Sequence, residues 1–238
     1  MISSTHPSWH SILEKAFLAL DEEYREFLEK DLSYFPDNNN LFNAFKLPLE
    51  KTKFILFGQD PYPREQSAIG YAFIDGKVNN LFCDAGLCKD VNRATSLRNF
   101  IKMVFVCEGE LDKDLSKEAV GQIDKSPYIK TITDLKENFE QNGVLLLNMA
   151  LIFTTKEESK KHIKAWKPFV KALLSELKGK DIKLILFGKM AEVLEKVDEA
   201  SSFKKHTMPH PYNISFITDK RAKELFSPMN LLSLKPRH

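Results

Sequence analysis

The sequence predicts an α/β protein in which a central, parallel-type sheet is flanked by helices. Short runs of apolar, mostly β-prone residues at 53–57, 144–147 and 183–187 each end near a glycine, an asparagine or a polar turn. Helical patterns separate them, as at 168–177 and 191–197. Strands that alternate with helices need crossover connections, and those connections lay the strands parallel. With 238 residues and 43% hydrophobic content the chain can bury one sizeable core, and neither a linker nor an internal repeat divides it. One domain over residues 1–238 is therefore expected.

Apolar residues recur three and four apart from Trp9 through Leu13, Phe17, Leu20, Tyr24 and Leu28 to Leu32, which predicts an amphipathic helix over about residues 8–32. The run at 53–57 reads as a buried strand, and Gly58-Gln59-Asp60-Pro61-Tyr62 as the rigid turn that ends it. Such a turn holds a carboxylate at the carboxyl edge of a sheet, where open α/β folds place their ligands. Segments 74–95 and 108–130 are the least patterned and read as surface insertions. The strand at 144–147 ends on Asn148. That amide either offers a donor and an acceptor in one fixed plane or caps the turn that follows.

A formal net charge of +2 does not by itself demand a nucleic-acid partner. The distribution is uneven, however. Residues 21–31 hold six acids and two bases, 155–171 hold six lysines and two acids, and 204–237 hold seven bases and two acids. A basic face towards the C-terminal half suits phosphate contacts, although solvated helix faces produce the same pattern. No apolar run approaches a membrane span and no secretory leader is legible, so a cytoplasmic protein with no membrane partner is expected. Cys83, Cys88 and Cys107 are an odd set, which fits a reducing compartment. They are read as structural thiols; three are too few for a four-cysteine cluster, and no metal or other cofactor is expected.

Three stretches together carry a family resemblance. Gly58-Gln59-Asp60-Pro61-Tyr62 continues without a gap to Phe73; Gln141-Asn142-Gly143-Val144-Leu145-Leu146-Leu147-Asn148 follows; and His210-Pro211-Tyr212-Asn213-Ile214-Ser215 leads on to Leu225-Phe226-Ser227-Pro228-Met229-Asn230. These resemble, in order, the GQDPYH loop, the QGVLLLN strand and the HPSPLS loop of the main family of uracil-DNA glycosylases. Thr95-Ser96-Leu97-Arg98-Asn99 resembles that family's PSLxN, and 184–191 resembles LLWGxxA. His162 and Trp166 lie near a histidine and a GW pair, with the spacing off by one residue. Aligning the prolines of Met208-Pro209 instead would put Met208 in the histidine's place. The register on His210 keeps the histidine, its proline, an aliphatic fifth residue and the serine.

The resemblance implies a four-stranded, mostly parallel sheet and a monofunctional glycosylase acting on uracil in single- or double-stranded DNA, working as a monomer. It implies that Asp60 steadies the sugar cation and orients water, and that His210 donates a hydrogen bond to uracil O2. Gln59, Tyr62, Phe73 and Asn148 would contact the base: Tyr62 excludes the thymine methyl, Phe73 stacks, and Asn148 reads the O4 and N3–H edge. Ser96, Pro211 and Ser215 would meet the DNA backbone, and Ile214 would fill the vacated stack. The chain departs from the family at Pro63, Ile69, Tyr212 and Asn213. Those departures leave open a non-catalytic or altered-specificity lesion-binding relative.

Overall fold

The structure, a computed structural model, describes residues 1–31 and 33–234. The strands are β1 (Phe54–Gly58), β2 (Phe82–Cys83), β3 (Gly86–Leu87), β4 (Val144–Asn148), β5 (Lys183–Phe187) and β6 (Lys205–Met208). The helices are α1 (His10–Leu18), α2 (Glu22–Lys30), α3 (Lys89–Arg93), α4 (Thr95–Glu108), α5 (Lys117–Gln122), α6 (Ile132–Gln141), α7 (Ser159–Leu177), α8 (Met190–Glu195) and α9 (Lys220–Phe226). The chain forms two compact units, Met1–Asp75 with Gly143–Lys205 and Gly76–Asn142 with His206–His238.

The main sheet has the order β4-β1-β5-β6. β1 runs parallel to both β4 and β5, and its Ile55, Leu56 and Phe57 are buried. A strand covered on both faces needs a continuous apolar run rather than alternation, and 54–57 has that composition. The register pairs Phe54 with Val144 and Gly58 with Asn148, so the two strands end side by side. Trp9, Phe45, Trp166 and Phe169 fill the core of this unit, and the Trp9 indole donates to the Leu47 carbonyl at 2.7 Å.

The helix expected over 8–32 is two helices. Asp21 interrupts it: its Oδ1 accepts from the backbone N–H groups of Glu23 and Tyr24 at 3.1 and 3.4 Å and so caps α2. Such a cap requires an extended residue where a continuous helix would need a helical one. Leu32 lies outside the described residues. At 168–177 the difference runs the other way, since α7 begins nine residues earlier at Ser159 and passes through Pro168. Pro168 sits on the solvent-exposed side of that helix, which buries Trp166, Phe169 and Leu173 on the other.

The second unit is built on α4, α6 and α9. Phe100 of α4 lies with its ring centroid 5.7 Å from that of Phe139 and 5.0 Å from that of Phe226. The Asn138 amide donates to the carbonyls of Leu231 and Ser233 at 2.9 and 3.1 Å. The two least patterned segments meet here, where α5 packs on β3 so closely that a Cβ on Gly86 would lie 3.4 Å from the backbone nitrogen of Gly121. Leu81, Leu87, Val91 and Val120 are buried there, so both segments contribute core as well as surface.

Candidate active site

The first unit holds the acid. Asp60 lies two residues beyond β1, and the backbone that carries it is tied to the chain after β4. Met149 N–H donates to the Gly58 carbonyl at 2.9 Å and Ala150 N–H to the Gln59 carbonyl at 3.0 Å, while the Gln59 side chain is exposed. The Asp60 carboxylate accepts a hydrogen bond from the Ser159 hydroxyl at the start of α7. Asn148 is only 7% exposed, and its amide makes no hydrogen bond among the described residues, so donor and acceptor are both left for a ligand. Gly58 is required beside it, because a Cβ there would lie 2.2 Å from Asn148 Oδ1.

The chain from Pro61 to Asp75 folds back on the same strands. Ala72 N–H donates to the Leu146 carbonyl of β4 at 3.0 Å. The Tyr62 hydroxyl donates to the Phe73 carbonyl at 3.2 Å, and Phe73 is held at φ +69°, a left-handed conformation that a bulky residue rarely adopts. Its ring centroid lies 6.2 Å from that of Phe187 at the end of β5. Burial raises the Tyr62 pKa, and the Asp75 carboxylate adds to that, so the phenol stays a neutral donor. Ile69, one of the departures from the family pattern, contributes its carbonyl, which accepts from the Asn43 amide at 2.9 Å.

The second unit holds the histidine. His210 follows β6 by two residues, and its Nδ1 accepts from the Tyr212 backbone N–H at 3.0 Å. An Nδ1 that accepts carries no proton, so the neutral ring bears its proton on Nε2. Burial lowers the His210 pKa and so favours that neutral form. The loop is anchored by buried Asn99 of α4, whose amide donates to the carbonyls of Pro211 and Tyr212 at 2.8 and 3.3 Å. Ile214 is 74% exposed at the head of a short 3-10 turn, with exposed Ser215 beside it and Phe216 fully buried next. Ser96 is half-buried on the first turn of α4, where backbone N–H groups point outward.

His162 and Trp166 are core residues of the first unit. The His162 ring is bound by the Tyr24 hydroxyl at Nδ1 (2.7 Å) and by Thr154 at Nε2 (2.8 Å), and burial lowers its pKa. All three cysteines are free thiols, and burial raises those of Cys88 and Cys107 to about 11. Two groups escaped the reading of the sequence. Ser159 has no local signal, being a serine in a lysine-rich helix; Asn99 was legible within Thr95–Asn99, but its hold on the Pro211–Tyr212 backbone was not.

Within the first unit, an acid and an open amide at adjacent ends of parallel strands are the equipment of an α/β hydrolytic enzyme working at the carboxyl edge of its sheet. The second unit carries a histidine of fixed tautomer. No protein-family model matches the chain. It is 46% identical to the UNG of Nitratifractor salsuginis, whose crystal structure it matches with a TM-score of 0.96 over 98% of this chain and 95% of that one. It is 28% identical over 217 residues to the uracil-DNA glycosylase of Enterococcus faecalis, spanning 88% of this chain and 83% of the relative. Mimivirus uracil-DNA glycosylase, at 20% identity and a TM-score of 0.57, shares the fold over 88% of this chain and 70% of that one. The chain belongs to the uracil-DNA glycosylase family.

Proposed function

We propose that the chain flips uracil out of DNA and hydrolyses its N-glycosidic bond, leaving an abasic site for base excision repair. The observation that carries this reading is the register of β1 against β4, which ends one strand in the Asp60 turn and the other in an unsatisfied Asn148 amide. Those two groups serve the two ends of the bond that breaks. As the C1′–N1 bond opens, its electron pair leaves with the base and positive charge gathers on the sugar. The Asp60 carboxylate stabilises that cation and takes the proton of the water that adds to C1′. Asn148 accepts from uracil N3–H and donates to O4; cytosine presents the opposite pair at that edge.

His210 Nε2–H donates to uracil O2 and accommodates the charge of the departing anion, for which a neutral imidazole is sufficient. Phe73 stacks on the extruded ring, Gln59 contributes to the same pocket, and Tyr62 stands where a thymine methyl would go. Ile214, an exposed aliphatic residue beside a buried anchor, enters the space the base leaves. Ser96, Pro211 and Ser215 hold the backbone near the flipped nucleotide. The reaction takes place on a monomer and requires no metal, because the leaving anion is delocalised over its own ring.

Uracil release from a labelled single-stranded oligonucleotide tests the reading. Wild type should leave an alkali-labile abasic site. Asp60→Asn and His210→Ala should each slow single-turnover release by about 10²–10⁴. Binding of uracil-containing DNA without release by wild type would replace this reading with a lesion-binding relative. A loss of less than about tenfold at His210 would move the role away from that residue.

A further inference from the structure

We propose that Ser159 is a positioning residue for Asp60, fixing which carboxylate oxygen meets the attacking water; this rests on Asp60 being the acid of the glycosylase reaction. The Asp60 carboxylate sits on a turn, and a carboxylate's terminal torsion is broad, so something outside the residue must set its plane. The hydroxyl of Ser159 donates to its Oδ2, and this is the one hydrogen bond that carboxylate makes among the described residues. A hydroxyl has a single proton to give. With that proton committed to Oδ2, Oδ1 is the oxygen that remains to orient water.

The donor comes from a rigid element. Ser159 is 9% exposed and is the first residue of the 19-residue α7, which is bolted into the core by Trp166, Phe169 and Leu173. Its neighbours are occupied elsewhere. The carboxylate of Glu158 accepts from Thr154 at 2.7 Å and from Lys161 at 3.2 Å, so it does not compete for the hydroxyl. His162, one turn on, is bound through both ring nitrogens to Tyr24 and Thr154. The orientation of Asp60 is therefore left to an uncharged, fixed donor.

The experiment measures single-turnover uracil release, DNA binding and thermal midpoint for wild type, Ser159→Ala, Ser159→Cys and Ser159→Thr, each with Asp60 and again with Asp60→Asn. Ser159→Ala and the near-isosteric Ser159→Cys should each lose about 10- to 100-fold in rate, the range for one hydrogen bond to a charged group. Ser159→Thr, which keeps the hydroxyl, should stay within about threefold, and substrate affinity and thermal midpoint should move little. In the Asp60→Asn background the Ser159 substitutions should cost almost nothing further, because the group they position is gone. Rates within about twofold of wild type for both Ala and Cys would overturn the proposal. So would an undiminished loss in the Asp60→Asn background, which would mark a structural role. Wild type that releases no uracil would instead overturn the glycosylase reading on which this one rests.

Discussion

Gly58→Ala separates the geometry of the Asn148 amide, which we propose reads the base, from the stability of the sheet. The added methyl would lie 2.2 Å from Asn148 Oδ1 and 3.0 Å from the Ala72 Cβ, whereas ordinary contact begins at 3.4 Å. The amide must therefore retreat by more than about 1 Å, a displacement that costs on the order of 10²-fold in rate when it misplaces a reacting group or its guide. The fold has little to lose. The clashing atom is the end of a short side chain, Gly58 is at the last position of β1, and alanine restricts the unfolded chain more than glycine does. A change of about 1 kcal/mol or less in unfolding free energy is expected. The assay is single-turnover uracil release with enzyme in excess, beside urea denaturation, for Gly58→Ala, Asn148→Ala and the double variant. The double variant should be no slower than Asn148→Ala alone, since the methyl acts through that amide. Activity within about threefold of wild type, or a further tenfold loss in the Asn148→Ala background, would refute the reasoning.

Tyr62→Ala should admit thymine, read as base release from thymine-containing oligonucleotides, whereas Tyr62→Phe should exclude thymine still and lose about fivefold in uracil release, the worth of the roughly 1 kcal/mol hydrogen bond that holds the Phe73 carbonyl. Asn99→Ala unhooks two loop carbonyls and should cost about 1–3 kcal/mol in urea denaturation together with about a tenfold loss of activity. Because burial lowers the His210 pKa, the neutral ring persists through neutrality, and single-turnover rates should fall only at pH values below the ordinary histidine value of about 6.5. His162 makes stability pH-dependent in the same direction. Its folded pKa is lowered, so its contribution is complete above about pH 6.5 and is lost as pH falls through the folded value, where the unfolded chain binds the extra proton. His162→Gln should flatten the drop in urea midpoint between about pH 7.5 and 5.

The composition of 53–57, 144–147 and 183–187, with the turn residues that end each run, determined the parallel strands of the sheet, because a strand buried on both faces requires a near-continuous apolar run. The residues around Asp60, Asn148 and His210 carried the family resemblance, because turn and loop motifs are written contiguously in the chain. Other features were beyond its reach. The break at Asp21 depended on whether a cap or a further helical turn won locally, and the apolar spacing is the same either way. β6 is only Lys205-His206-Thr207-Met208, whose polarity marks no strand, and only the fold gives it a place at the edge of the sheet. The proton on His210 Nε2 follows from a backbone N–H two residues on, and the hold on Asp60 comes from a serine 99 residues away. Periodicity and turn chemistry are local, and a chain records them in order. Which hydroxyl reaches which carboxylate is a matter of distance in the folded molecule, and only the packing of α7 against the sheet decided it.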